Sequence, residues 1–105
     1  MIAKTPEPPY YAVIFSSERT KVDANYSEMS IKMEELAKKQ EGFLGMESAR
    51  NKVGITVSYW KSLEAIKQWK HNLEHSKARE KGRSNWYKAF KVRICKVEKD
   101  YGFEK

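Results

Sequence analysis

The run Tyr10-Tyr11-Ala12-Val13-Ile14-Phe15 constrains this chain more than any other stretch. Six consecutive apolar or aromatic side chains, two of them β-branched, make a strand. Successive side chains of a strand point to opposite faces, so Tyr11, Val13 and Phe15 share one side and Tyr10, Ala12 and Ile14 the other. A strand with apolar groups on both sides needs cover on both sides. An antiparallel sheet with one solvated face would carry polar residues there instead.

The remaining elements follow from periodicity and punctuation. Residues 1–9 contain Pro6, Pro8 and Pro9 and are expected to form an extended arm, leaving 10–105 as a single domain. Asn25 and Glu28 have the spacing of a capping box. Behind them Tyr26, Met29, Met33, Leu36 and Ala37 recur at helical intervals, which predicts a helix over Tyr26–Gln40 stopped by Gly42. Phe43–Ser48 reads as a second strand and Asn51–Gly54 as a turn. In the third strand Ile55, Val57 and Tyr59 alternate with Thr56, Ser58 and Trp60. Ser62 can cap a second helix with the apolar stripe Ala65, Ile66, Trp69 and Leu73, its pattern running to about Arg79 before Gly82 breaks it. Phe90, Val92 and Ile94 alternate with Lys91 and Arg93 as the last strand. The order β-α-β-β-α-β predicts an α+β, ferredoxin-like sheet with both helices on one face. The apolar second face is then expected to meet another sheet, most simply that of a second copy, in a homodimer.

Composition excludes several classes. Aromatics make up 12% of the chain and are spread along it, unlike a disordered sequence. No run approaches the roughly 18 apolar residues of a membrane span, and the Pro-rich start lacks the apolar segment of a secretory signal. Cys95 is the only cysteine, so no internal disulfide can form, and a cytoplasmic setting is expected. Twenty-one Lys and Arg against 14 Asp and Glu give +7. Because the basic residues are interleaved with Glu over Lys32–Glu41 and Glu74–Arg83, they read as solvated helix faces, and no nucleic-acid partner is expected.

Two motifs suggest chemistry that their context does not support. His71-Asn72-Leu73-Glu74-His75 matches the H-x-x-E-H pattern of inverted zinc peptidases, but a catalytic zinc needs a third protein ligand and a cleft too large for this chain, so no metal site is expected. The element order is also that of the RNA-recognition motif. The third-strand run Lys52-Val53-Gly54-Ile55-Thr56-Val57 lacks the aromatics with which that module stacks bases. No glycine-rich phosphate loop and no Cys–His pair at useful spacing is present.

A longer pattern is more specific. The run Ser58-Tyr59-Trp60-Lys61-Ser62-Leu63-Glu64-Ala65-Ile66-Lys67-Gln68-Trp69, then Glu74-His75, Ala78 and Gly82, resembles the third strand and second helix of the antibiotic-biosynthesis-monooxygenase-like family of dimeric α+β barrels. Pro8-Pro9-Tyr10-Tyr11-Ala12-Val13-Ile14-Phe15 and Gln40-Glu41-Gly42-Phe43-Leu44-Gly45-Met46-Glu47-Ser48 are similar to its first two strands, and the run Trp86–Ile94 to its last. The similarity spans Tyr10–Val97 and is closest to a bacterial branch with the same Pro-rich arm.

The resemblance implies a pocket in each subunit between helices and sheet. It also implies a cofactor-independent monooxygenase acting on a small electron-rich aromatic substrate. Haem breakdown is the alternative within the family, and a non-enzymatic small-ligand or stress-related binding protein the alternative outside it. Trp69 falls on the family's helix-two tryptophan, and His75, one of two histidines, is the expected base. Tyr11, Phe15, Tyr59 and Asn72 are the expected substrate contacts. Haem-degrading members carry Asn on strand one, where this chain has Ser16 and Ser17. Their ligating His stands about ten residues past the tryptophan, where this chain has Lys77 and Arg79. Trp69 and His75 are six residues apart, about 600° along a helix, so a shared pocket requires a bend, expected at Asn72. Trp86 and Tyr87 are expected to serve packing or subunit contact.

Overall fold

The computed structural model describes residues 1–23, 25–74 and 86–105. Its elements are β1 (Tyr10–Arg19), α1 (Tyr26–Lys38), β2 (Phe43–Arg50), β3 (Gly54–Trp60), α2 (Leu63–Glu74) and β4 (Tyr87–Val97). The four strands form one antiparallel sheet in the order β2-β3-β1-β4. This is the ferredoxin-like α+β arrangement that the element order implies.

Strand register decides which side chains meet the helices. Tyr11 pairs with Trp60, Val13 with Ser58 and Phe15 with Thr56, so these residues share one face. On that face Trp60 and Ala37 are fully buried and form a cluster with Ile66 and Trp69. Tyr11, Val13, Phe43, Met46, Ala65 and Leu73 pack against it. The Trp60 ring stacks on Trp69 at 5.8 Å and meets the Phe43 ring edge-on at 5.4 Å. Its indole N–H donates to Ser58 Oγ at 2.8 Å, which satisfies the polar atom in the dry interior. The α2 stripe of Ala65, Ile66, Trp69 and Leu73 lies inward as its spacing predicts.

Three local expectations are corrected. Asn25 occupies the N-cap of α1 but takes a left-handed conformation (φ 63°) and makes no side-chain cap bond. A capping side chain reaches the first amides from an extended backbone, so this geometry withholds the capping box. Leu36 is exposed rather than inward. Tyr26, Met29, Met33 and Ala37 already follow one helical face, and Leu36 lies about 100° off Ala37. Gly42 does not end α1: Lys39 is the C-cap in right-handed conformation, and Gly42 (φ 85°) turns the chain into β2 instead. In α2, by contrast, Ser62 caps as expected, its Oγ accepting from the Ala65 amide at 3.1 Å.

The opposite face carries Tyr10, Ala12 and Ile14 of β1 and Ile55, Val57 and Tyr59 of β3. Part of the cover expected from a second copy comes from the chain itself. Residues 1–9 run across the upper end of this face, where the Ala3 amide donates to Glu47 Oε2 at 2.8 Å and Tyr59 O–H donates to Glu47 Oε1 at 2.6 Å. These two bonds hold the Glu47 carboxyl below the usual carboxylate range. Tyr10 O–H accepts from Thr5 at 3.0 Å and donates to the Asp100 carboxylate. Tyr10 and Ala12 are buried, whereas Ile55, and Cys95 opposite Ala12 on β4, are exposed. No helix among the described residues is long and apolar enough to cross a membrane.

Candidate functional site

A bulge shapes the lower end of the helix-side face. Ser17 pairs with Phe90 and Glu18 with Ala89, but Arg19 pairs with Tyr87, so the register shifts by one residue between Glu18 and Arg19. Strict alternation would send Tyr87 and Phe90, three residues apart, to opposite faces. The extra residue returns both to the face that holds Phe15. The three rings gather there: Phe15 to Tyr87 at 5.5 Å, Phe15 to Phe90 at 5.5 Å and Tyr87 to Phe90 at 6.1 Å. Phe90, Val92 and Ile94 continue up β4 as an apolar strip that is 42–52% exposed.

Two guanidinium groups flank the rings. Arg50, Gly54 and Ser17 form one row across β2, β3 and β1. The Arg50 guanidinium lies flat over Gly54, where a Cβ would fall inside it. It donates to Ser17 Oγ and, at 3.5 Å, to Ser17 O. Ser17 is 2% exposed, so this bond satisfies a hydroxyl that burial would otherwise penalise. Arg19 stacks over the Tyr26 ring at 3.4 Å and donates to Val22 O and Asp23 Oδ1. Tyr26 in turn meets Trp86 and Tyr87 edge-on. Burial, and then hydrogen bonding with Tyr26, push the Tyr87 phenol up, against the opposing charges of Arg50 and Arg19. Tyr87 is therefore a neutral donor at any ordinary pH.

The sequence-predicted residues are distributed unevenly around this end. Phe15 belongs to the ring cluster. Tyr11 and Trp69 lie on the same side of the sheet but higher, in the Trp60 core. Tyr59 is on the opposite face, bonded to Glu47, so it shares no pocket with Tyr11 and Phe15. Asn72 is exposed and donates to Gln40 Oε1 at 2.6 Å, tying α2 to the end of α1. The bend expected at Asn72 is not there, because α2 runs unbroken through it to Glu74. His75, Lys77 and Arg79 lie outside the described residues. His71 is on the outward side of α2 with Lys67, Gln68 and Lys70. Among the described residues no His, Cys, Asp or Glu cluster could hold a metal ion. Ser17 is engaged by Arg50, Ser16 lies on the opposite face, and Trp69 is stacked into the core.

Arg50 carries no motif, Tyr26 and Phe90 read from spacing only as members of a helical stripe and an alternating strand, and Tyr87 reads as packing or subunit contact. Their convergence depends on the β4 bulge and on a three-strand row, neither of which leaves a local signature.

Residues 13–95 match the family described as monooxygenase af470-like. The chain belongs to the monooxygenase af470-like family. That match contains the Ala37, Trp60, Ile66 and Trp69 cluster, the Arg50–Ser17 row and the whole β4 strip. A curated relative, the uncharacterized protein YqjZ of Bacillus subtilis strain 168, is 52% identical, with 98% of this chain and 92% of that one covered. The fold is shared with a protein of unknown function from Nitrosomonas europaea, NE2512 (TM-score 0.66, 13% identity, covering 95% of this chain and 98% of that one). It is shared also with a Chloroflexus aurantiacus J-10-fl protein proposed to be an antibiotic biosynthesis monooxygenase (TM-score 0.62, 17% identity, 90% and 97% covered). The resemblance read from the sequence is thus that of a monooxygenase af470-like chain with the antibiotic-monooxygenase fold.

Proposed function

We propose that this protein is a monooxygenase for a small electron-rich aromatic substrate and that it works without metal or flavin. The observation that carries the reading is the group of three rings, Phe15, Tyr87 and Phe90, at the open end of the helix-side face. Planar aromatics stack on such walls at offset or edge-on geometry. Membership of a monooxygenase-like family supports oxygen as the co-substrate.

The chemistry asks little of the chain. An electron-rich phenol, once deprotonated, reduces oxygen itself: one oxygen atom enters the substrate carbon and the other leaves as water, the substrate supplying all the electrons. The protein needs to orient the ring, exclude water and take a proton. Tyr87 supplies a neutral phenol beside the ring site, and His75 is the group proposed as base.

Oxygen-electrode rates with a hydroxylated polycyclic test compound check the proposal. Uptake in step with product is expected, rising with pH because a general base must lose its proton to act. His75→Ala is expected to remove that rise while leaving the melting temperature unchanged. Binding of the compound with no oxygen uptake at any pH would mark a binding protein instead and overturn the oxygenase.

We further propose a homodimer closed over the face of Ile14, Val57 and Ile55, which the chain's own arm leaves uncovered. The expected light-scattering mass at micromolar concentration is twice the 12.3 kDa of one chain, because obligate interfaces are large and apolar. A mass of one chain at these concentrations refutes it.

A further inference from the structure

We infer that the ligand of this site carries a negative charge, a carboxylate or a comparably acidic oxygen, held by Arg50 while its ring lies along Phe15 and Phe90. This deepens the proposed function and rests on its choice of the ring cluster as the site.

Arg50 is placed as an anchor is placed. Its guanidinium is laid along the sheet by the missing side chain of Gly54 and pinned from one edge by Ser17. The Ser17 acceptors are neutral. A guanidinium presents five N–H donors in a rigid fork, and Ser17 engages only part of it. Among the described residues Arg50 has no carboxylate partner, whereas the neighbouring Arg19 has Asp23 at 3.0 Å. The row therefore holds a positive charge that no described carboxylate neutralises. Arg50 is also exposed, so its free edge is open to a ligand.

The apolar surface begins beside Ser17. Ser17, the acceptor of Arg50, pairs directly with Phe90, the first residue of the strip that continues through Val92 and Ile94. Two-residue steps of about 6.8 Å make this strip about 13 Å long, room for a planar body of two or three fused rings. A ligand with its ring on Phe15 and Phe90 brings a substituent at its lower end to Arg50. Both terminal nitrogens donate to Ser17, and the guanidinium keeps further N–H groups with which to take a carboxylate. Tyr87, sensitive to the charges of both arginines, is the neutral donor beside the same place. An uncharged phenol would leave the Arg50 charge unmatched.

Quenching of the tryptophan fluorescence by 2-naphthoate and by 2-naphthol, the second uncharged at pH 7, separates the alternatives. The protein is expected to bind the carboxylate at least about tenfold more tightly, as charge-assisted bonds imply. Arg50→Gln is expected to abolish that preference and leave 2-naphthol binding within about twofold. Arg50→Lys keeps the charge but not the fork, and a reduced preference is expected. A thermal melt accompanies each variant, and the lysine variant carries the comparison if the glutamine variant melts early. Equal affinities for the two probes in the unaltered protein overturn the inference, as does unchanged 2-naphthoate affinity in both variants. Tight 2-naphthoate binding that depends on Arg50, with no oxygen uptake by any test compound, would keep the inference and remove the oxygenase.

Discussion

Trp60→Ala is expected to cost about 3–5 kcal/mol, the range for deleting a large ring from a packed core. At roughly 4–8 °C per kcal/mol for a domain of this size, the melting temperature should fall by at least about 12 °C. Trp60 is the largest fully buried side chain described, and it joins all the layers of the fold. It stacks on Trp69 of α2, meets Phe43 of β2 edge-on and pairs across the sheet with Tyr11 of β1. Alanine would leave a void lined on three sides and would strip Ser58 of the donor that satisfies its hydroxyl. Trp69→Phe makes an internal comparison. It retains a ring against Trp60 and should cost only about 1–2 kcal/mol. Thermal melts of the two variants decide the matter. If Trp69→Phe proves the more damaging, the core is centred on α2 rather than on β3.

Gly42→Ala is the second large effect, expected at about 2–5 kcal/mol. Two penalties add. An L-residue at φ 85° pays about 1–2 kcal/mol for the left-handed backbone. The new Cβ would also stand 2.6 Å from the Ala65 Cβ, so the turn and the first turn of α2 must separate. Forced repacking of this kind costs about 1–3 kcal/mol. The separation would also strain the 2.7 Å bond from the Lys61 amide to Gly42 O, which joins the same two segments. Denaturant unfolding measures the loss. A companion Ala65→Gly, which removes the clash but not the backbone strain, should recover part of it in the double variant. A Gly42→Ala protein as stable as the parent would mean that this turn is not packed on α2 as described.

The two glycines show where reading the sequence stops. Gly42 is legible as a breaker after a helical stripe, but its partner is Ala65, 23 residues on, and only packing brings them together. Gly54 is legible as a turn residue. Its second task, leaving room for Arg50 to reach Ser17, depends on three strands in one register. The candidate site divides in the same way. Phe15 is visible as a large inward ring of a strand. Tyr59 looks equivalent from its composition and burial tendency, yet its pairing with Ala12 sends it to the other face. Alternation establishes that Tyr59 and Trp60 oppose one another. It does not say which of them meets the helices.

The sequence by itself determined the strand and helix order, the apolar character of both sheet faces, the inward stripe of α2 and the family. All of these rest on periodicity or on runs of neighbouring residues, and local backbone geometry turns such runs into structure with little outside help. Tertiary structure alone decided which β3 face is the core, how much of the second face the Pro-rich arm covers, and where Tyr87 joins Phe15 and Phe90. It also decided that Arg50 lies over Gly54 beside that cluster. Each of these depends on register, and a shift of one residue in a strand moves every side chain to the other side of the sheet. The bulge opposite Glu18 and Arg19 is such a shift, set by pairing between segments some seventy residues apart.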